Sequence, residues 1–182
     1  MRLRAAGQVP AASLLGGLLL ILGCASVSAA ARERRGGAGG LRCELEAEPR
    51  HARGAPVRLR FALVNDGDQS LRVLRWYTPL EGLLGDLLEV RRDGGARLTY
   101  LGPKMKRGEP TAEEYVALGP GERVDAVVEL GWGYDVSAGG DYAVRFAGRL
   151  ADVAAAGDTV PRPRAAHRPV SLVGCGARFV VE

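Results

Sequence analysis

The sequence predicts an all-β fold, an antiparallel immunoglobulin- or fibronectin-like β-sandwich of about seven to nine strands. Three observations support this expectation. Apolar and polar residues alternate with a period of two in several short segments. Turn residues separate these segments at intervals of about ten residues, in a chain that contains 26 Gly and 10 Pro. An apolar spacing of 3.6 residues, which would indicate amphipathic helices, is nowhere sustained.

The clearest strand is predicted at 57–64, where Val57, Leu59, Phe61 and Leu63 alternate with arginine and smaller residues. We expect this strand to be half buried. Residues 92–95 have the Asp-Gly-Gly composition of a hairpin turn. Further strands are predicted at 41–47, 71–77, 87–92, 98–101, 115–118, 124–130, 142–146 and 177–181. Tyr142 follows a glycine pair, which is typical of the tyrosine corner of such sandwiches.

The first 29 residues have the pattern of a signal peptide. Arg2 and Arg4 precede an apolar run at 13–23, and residues 27–29 form a small-x-small cleavage site. Residues 21–24 also resemble a bacterial lipobox, in which Cys24 would be acylated, and an uncleaved membrane anchor is a third alternative. We expect a flexible Gly/Ala/Arg linker at 30–40 and a β-sandwich domain at 41–182, secreted, periplasmic or lipid-anchored at the cell envelope.

The cysteine count supports export. Without Cys24, one pair remains, Cys43 and Cys175, near the two ends of the predicted domain. In an oxidising compartment we expect these two to form a disulfide. A closed loop of about 130 residues would stabilise the fold by roughly 4–5 kcal/mol in the chain-entropy model. Two free buried thiols are the alternative, and a metal site is disfavoured because no ligand-spaced cluster accompanies the cysteines.

The net charge gives no reason to expect nucleic-acid or membrane-surface binding. The chain has 25 Lys+Arg against 21 Asp+Glu, and removal of Arg2 and Arg4 leaves 23 against 21, a net charge of +2. These basic residues are spread along the predicted strands instead of forming one patch. We therefore expect contact with a membrane only through the signal peptide or a lipid.

The sequence contains no recognisable catalytic constellation. The H-E-x-x-H motif of zinc proteases is absent, and so is the G-x-S-x-G motif of serine hydrolases. The two histidines, His51 and His167, lie in Pro/Arg-rich segments where exposed loops are expected. The sequence therefore predicts a protein that is not an enzyme, with no catalytic residue, no metal site and no cofactor.

Four short motifs suggest a family. They are Arg-Trp-Tyr-Thr-Pro-Leu-Glu-Gly at 75–82, Lys-Met-Lys-Arg-Gly-Glu-Pro at 104–110, Leu-Gly-Pro-Gly-Glu at 118–122 and Gly-Gly-Asp-Tyr-Ala-Val-Arg-Phe at 139–146. In this order the motifs resemble the non-catalytic, propeptide-like N-terminal region of bacterial deuterolysin / peptidyl-Lys metalloendopeptidase (aspzincin) proteases. We expect no protease domain in this chain, because its catalytic motif is missing.

The resemblance implies a domain that assists folding of a secreted zinc protease or inhibits it. Lys104, Lys106 and Arg107 are expected to project from a loop between Pro103 and Pro110. A peptidyl-Lys endopeptidase selects lysine with an acidic pocket, so one of the two lysines is expected to occupy that pocket and block it. Trp132 lies between two glycines and is a second candidate contact for the partner. We expect the domain to be a monomer.

Two other functions remain open. The chain could be a surface lipoprotein, tethered through Cys24, whose loops bind an unrelated protein or glycan. It could also be an enzyme of unrecognised type, which would require a concave site with perturbed carboxylates. Fatty-acid labelling with a Cys24→Ser control would separate the lipoprotein from a soluble secreted domain.

Overall fold

The computed structural model describes residues 40–146 and 148–182. The predicted signal peptide with Cys24, and the linker up to residue 39, lie outside these residues.

Twelve β-strands and four single-turn 3-10 helices form the described part, which contains no α-helix. The strands are β1 (Leu41–Ala47), β2 (Arg50–His51), β3 (Arg58–Asn65), β4 (Leu71–Leu74), β5 (Glu89–Arg92), β6 (Tyr115–Leu118), β7 (Arg123–Glu129), β8 (Gly140–Phe146), β9 (Arg149–Leu150), β10 (Val153–Ala155), β11 (Val170–Ser171) and β12 (Cys175–Val181). The 3-10 helices are Pro79–Glu81, Ala112–Glu114, Leu130–Trp132 and Arg164–Ala166.

The strands form one four-stranded, two three-stranded and one two-stranded sheet. We call the two that contain the seven- and eight-residue strands, β1-β3-β7 and β2-β12-β8-β5, the two larger sheets. The orders are β1-β3-β7, β2-β12-β8-β5, β10-β4-β6 and β11-β9. All pairs are antiparallel except β2 with β12, which is parallel. The all-β, antiparallel character predicted from the sequence is therefore confirmed. Strands from the first half of the chain pair with strands from the second half, as β3 does with β7, β4 with β6, and β5 with β8.

The two larger sheets share one apolar core. Phe61 of β3 meets Phe146 of β8 edge to face, with ring centroids 5.0 Å apart. Tyr142 and Phe179 stack on neighbouring strands at 5.1 Å. The Tyr142 hydroxyl donates to the carbonyl of Ala138, 2.7 Å away, which is the backward hydrogen bond expected of a tyrosine corner.

The second half of β3 is buried on both faces, so the prediction of a half-buried strand is wrong there. Ala62 is fully buried and Val64 nearly so. On the outer face, Arg123 of β7 forms an ion pair with Glu44 of β1 at 2.7 Å. These two long side chains reach across the central strand and cover its small residues.

Two other strand predictions are wrong in part or in whole. The strand expected at 71–77 stops at Leu74, because Tyr77 has a φ of 58° and Thr78 turns back to donate to the carbonyl of Arg75 at 2.7 Å. The strand expected at 98–101 does not form. Leu98 donates to the carbonyl of Val90, and the chain then leaves the sheet.

No helix in the described ranges is long and apolar enough to cross a membrane.

Candidate partner-binding loop

A buried tyrosine diverts the chain from β5 into a loop at residues 101–107, hereafter the lysine loop. The Tyr100 hydroxyl lies 2.7 Å from the carbonyl oxygens of both Leu83 and Pro103 and shares its proton between them. Burial raises the pKa of Tyr100 above its ordinary value, so the hydroxyl stays protonated and able to donate. This hydrogen bonding fixes the start of the loop and explains why no strand forms there.

Two backbone hydrogen bonds hold the middle of the lysine loop. Leu101 donates its amide to the carbonyl of Gly133 at 2.8 Å, and Met105 donates to the carbonyl of Leu84 at 2.9 Å. The loop is therefore ordered by the protein before any partner binds.

Arg107 fixes the end of the loop, and the prediction that its side chain projects toward a partner is wrong. Its guanidinium pairs with Glu81, lies 3.9 Å from Glu114, and sits over the Trp76 ring at 5.1 Å from the centroid. Only 11% of the Arg107 side chain is exposed. We call Arg107, Glu81, Glu114 and Trp76 the arginine cluster. A planar guanidinium can pair and stack at once, which explains why this loop cation is buried.

The acids of the arginine cluster have further partners. Glu114 accepts from the Trp76 indole N–H at 2.6 Å and from the Thr111 amide at 2.8 Å. Burial opposes ionisation of Glu114, but these hydrogen bonds and the charge of Arg107 outweigh it and lower the pKa of the carboxyl. Glu81 accepts from the Tyr77 amide at 2.9 Å and so pins the turn. The cluster thus sets one guanidinium against two carboxylates, and hydrogen bonds give both acids defined positions.

The two lysines contrast with this cluster. Lys104 and Lys106 are exposed, and neither makes a hydrogen bond or an ion pair with the residues that the structure describes. They are also the only lysines in the 182-residue sequence, since the other 23 of its 25 basic residues are arginine. Two free primary amines, two residues apart, are therefore presented on an anchored loop.

Exposed apolar side chains surround the entry to the loop. Leu101 is 70% exposed, Trp132 is 75% exposed, and Met105 is 49% exposed. Gly102 packs so closely that a Cβ there would lie 2.6 Å from the Tyr100 hydroxyl and 2.8 Å from the Trp132 carbonyl oxygen. The backbone of Trp132 consequently contacts the entry to the lysine loop.

An open groove with a volume of about 610 Å³ runs along one side of the loop. Tyr77, Leu84 and Met105 contribute apolar surface to it, and Lys104 lines it as well. Lys106 is not among the residues that line the groove. The two amines are therefore not equivalent, since Lys104 lies along the domain and Lys106 stands clear of the groove.

The remaining predicted site residues lie elsewhere. Cys43 of β1 and Cys175 of β12 form a disulfide, with their Cα atoms 5.6 Å apart, and the bridge joins the two larger sheets.

The prediction that both histidines lie in exposed loops is wrong for His51. This residue lies in β2, is 9% exposed, and packs edge to face on Phe179. His167 is partly buried, with its Nε2 3.2 Å from the carbonyl of Arg162. Within the described ranges, no three His, Cys, Asp or Glu residues are grouped so that they could hold a metal ion.

Sequence reasoning missed a second buried charge cluster, around Asp152. This fully buried carboxylate accepts from Arg162 at 2.8 Å, from the Tyr115 hydroxyl at 2.7 Å and from the Arg168 amide at 2.7 Å. Burial, followed by the hydrogen bond to Asp152, raises the pKa of Tyr115 to about 12. The cluster fastens residues 162–168 to β6 and β10. The sequence gives little sign of it, because Arg162 lies in a Pro/Arg/Ala segment with no apolar period.

Comparison with known proteins gives a partial relationship. No protein-family model matches the chain. Over 90 residues it is 33% identical to an extracellular protease of Aeromonas hydrophila, an alignment that covers 50% of this chain and 25% of that protease. The chain thus matches only about a quarter of the length of this relative. The comparison does not show that the chain belongs to the aspzincin family.

A structure of native alpha-2-macroglobulin from Escherichia coli, from domain MG7 to the C-terminus, aligns with 81% of this chain and 17% of that chain at 15% identity. The TM-score of 0.37 is too low for this likeness to support an argument.

Proposed function

We propose that the chain is an exported, non-catalytic β domain of immunoglobulin-like type that binds an extracellular protease through the lysine loop and inhibits it or assists its folding. One observation carries the proposal: both lysines of the sequence are unpaired and exposed on a loop whose backbone and neighbouring arginine are held by the domain. The partial similarity to an extracellular protease supports an association with proteolysis. The disulfide is compatible with export.

The geometry suits insertion of an amine into an acidic specificity pocket. Lysine carries a compact charge at the end of a flexible stem, and a pocket that selects lysine must supply negative charge at its base. Because Tyr100, Met105 and Arg107 already hold the loop, little ordering entropy is lost on binding. Trp132 and Leu101 add apolar area beside the amines, where aromatic side chains commonly contribute most of the binding energy.

We propose further that the partner is a lysine-selective zinc endopeptidase of the aspzincin type. The motif resemblance and the free lysines support this choice. In this arrangement the domain supplies no metal ligand and no catalytic group. Its contribution is to place Lys104 or Lys106 at the mouth of the specificity pocket and to hold it there.

The test is inhibition of a secreted lysine-selective zinc endopeptidase by the purified exported protein. We expect the double variant Lys104→Ala/Lys106→Ala to inhibit about 100-fold more weakly, because an amine that fills a charged pocket contributes about 2–3 kcal/mol. The matched control is Arg58→Ala/Arg178→Ala, which removes the same charge from two exposed positions on β3 and β12, outside the lysine loop. Equal inhibition by the wild type and the lysine variant would rule out the proposal.

A further inference from the structure

We propose that the lysine loop is a proteolytic cleavage site, cut between Met105 and Lys106, whose two ends stay in place after hydrolysis. The cleavage and the retention of the fold follow from this chain's own contacts. The consequence for inhibition rests on the function proposed above. The protease can therefore cut the loop while the domain stays folded and bound to the protease.

The choice of bond follows from which carbonyls are free. Some endopeptidases cleave on the amino side of lysine, so that the lysine becomes the first residue of the product. In this chain such a protease can cut only before Lys104 or before Lys106, because these are its two lysines. The carbonyl before Lys104 belongs to Pro103, and the Tyr100 hydroxyl already binds it at 2.7 Å. The Met105 carbonyl accepts no hydrogen bond from the described residues, and Lys106 has no polar partner among them. The bond before Lys106 is therefore the one open to attack.

The exposed backbone at this bond can also pair with the protease. Extended substrates bind by adding a strand to the edge of a partner sheet, which requires free amide and carbonyl groups. The amides of Lys104 and Lys106 make no hydrogen bond within the part of the chain that the structure describes, whereas the Met105 amide is bound to Leu84. The loop thus offers the Lys104 and Lys106 amides to a partner strand, while the Met105 amide anchors the chain to the domain.

Hydrolysis adds one water across the peptide bond. The C–N bond between Met105 and Lys106 breaks, the hydroxyl of the water joins the Met105 carbonyl carbon, and its hydrogen goes to the Lys106 nitrogen. At neutral pH the new carboxyl transfers its proton to the new amine. The products are a carboxylate and an ammonium group of opposite charge, formed side by side.

The contacts of the loop cross the cut. Leu101, in the N-terminal fragment, donates to the carbonyl of Gly133 in the C-terminal fragment. Arg107, in the C-terminal fragment, pairs with Glu81 in the N-terminal fragment. Each new end is therefore tied to the other fragment within four residues of the cut, and neither end is free to leave.

The fold as a whole also crosses the cut. Strands β3, β4 and β5 precede it, and each pairs with a strand that follows it, namely β7, β6 and β8. The Cys43–Cys175 disulfide joins the two fragments covalently. The cut domain should remain one folded, two-chain protein. Because the new ends remain adjacent, rejoining of the bond is an intramolecular reaction, which proximity favours.

The experiment treats the exported protein with a catalytic amount of an endopeptidase that cleaves on the amino side of lysine. We expect one new N-terminus, at Lys106, by sequencing. Electrophoresis in denaturant should give one band without reductant and two bands with it. In native buffer with reductant, the fragments should co-elute in size-exclusion chromatography, and the purified cut protein should inhibit within about threefold of the intact one.

The variant Lys106→Arg is the matched control, because it keeps the charge and removes the recognised side chain. It should not be cut at 105–106. Separation of the fragments in native buffer, a new terminus elsewhere, or resistance of the wild-type loop would each overturn the cleavage-site proposal. If the intact protein inhibits the protease and the cut protein does not, the claim that the loop still inhibits after cleavage is wrong. The proposed function would then still stand. Unchanged inhibition by Lys104→Ala/Lys106→Ala would instead remove the proposed function alone.

Discussion

The arginine cluster and the two lysines beside it use cations in opposite ways. Arg107 is buried, paired with Glu81 and stacked on Trp76. Lys106, one residue earlier, is exposed and has no ion pair among the described residues. Chemistry explains the difference, because a guanidinium is planar, weakly hydrated and able to form several directed hydrogen bonds, whereas an ammonium is strongly hydrated. The arginine organises the domain, and the lysine is left for a partner.

The same division holds across the described part of the chain. Arginine supplies the cation in every ion pair between described residues, from exposed pairs such as Arg60 with Asp125 to the buried pair of Arg162 with Asp152. A chain that uses arginine for structure can reserve lysine for recognition. Residue type, and not charge alone, therefore separates framework from candidate contact in this protein.

The largest test of this contrast is Arg107→Ala. We expect the free energy of unfolding to fall by about 3 kcal/mol, because removal of one partner leaves Glu81 buried without its cation and Trp76 without its stacked group. Denaturant unfolding measures the change. Arg58→Ala, at an exposed position, is the control and should change stability by less than about 0.5 kcal/mol. A loss of under about 1 kcal/mol in Arg107→Ala would mean that the cluster is not a framework element.

An intermediate effect concerns the buried charge cluster around Asp152. Burial and the hydrogen bond to Asp152 raise the pKa of Tyr115 from the ordinary tyrosine value of 10.0 to about 12, so the folded state holds this proton more tightly. Its contribution to stability is complete below pH 10 and is lost as the pH rises toward 12. In Tyr115→Phe this proton is absent, so stability should fall less steeply above pH 10 than in the wild type. Parallel stability curves for the two proteins between pH 9 and pH 11, by urea unfolding, would contradict the assignment.

The smallest expected effect on stability belongs to the lysines. Lys104→Ala/Lys106→Ala should change the free energy of unfolding by less than about 0.5 kcal/mol, because neither side chain has a hydrogen bond or ion pair with the described residues. Denaturant unfolding of this variant beside Arg107→Ala gives the comparison directly. A loss of about 2 kcal/mol or more would show that the lysines belong to the framework.

Local patterning predicted much of the fold. The alternation of Val57, Leu59 and Phe61 identifies β3, and the residues after the glycine pair identify β8 with its tyrosine corner. Such patterns predict strands because apolar and polar residues alternate along a strand that has one buried face and one exposed face. The pattern says little about a central strand such as β3 beyond Phe61, where neighbouring strands decide what covers the outer face.

The candidate site was only half predictable for a related reason. Exposure of Trp132 follows from its flanking glycines, and the chain places that side chain in the open. The burial of Arg107 depends on Glu81, which lies 26 residues earlier. The sequence around position 107 contains no pattern that indicates this partner. Likewise, the strand expected at 98–101 is lost because Tyr100 finds its acceptors 17 residues away, at Leu83, and in Pro103. Local patterns do not encode such tertiary choices.

The close packing of Gly102 has a consequence for protein engineering. Because a methyl group at this position would collide with the Tyr100 ring and the Trp132 carbonyl, a larger residue at position 102 would force the entry to the loop to shift. Tyr100, Gly102 and Arg107 therefore hold the two ends of the loop. We expect that residues 104–106 can be exchanged for another recognition sequence while these contacts keep the ends in place.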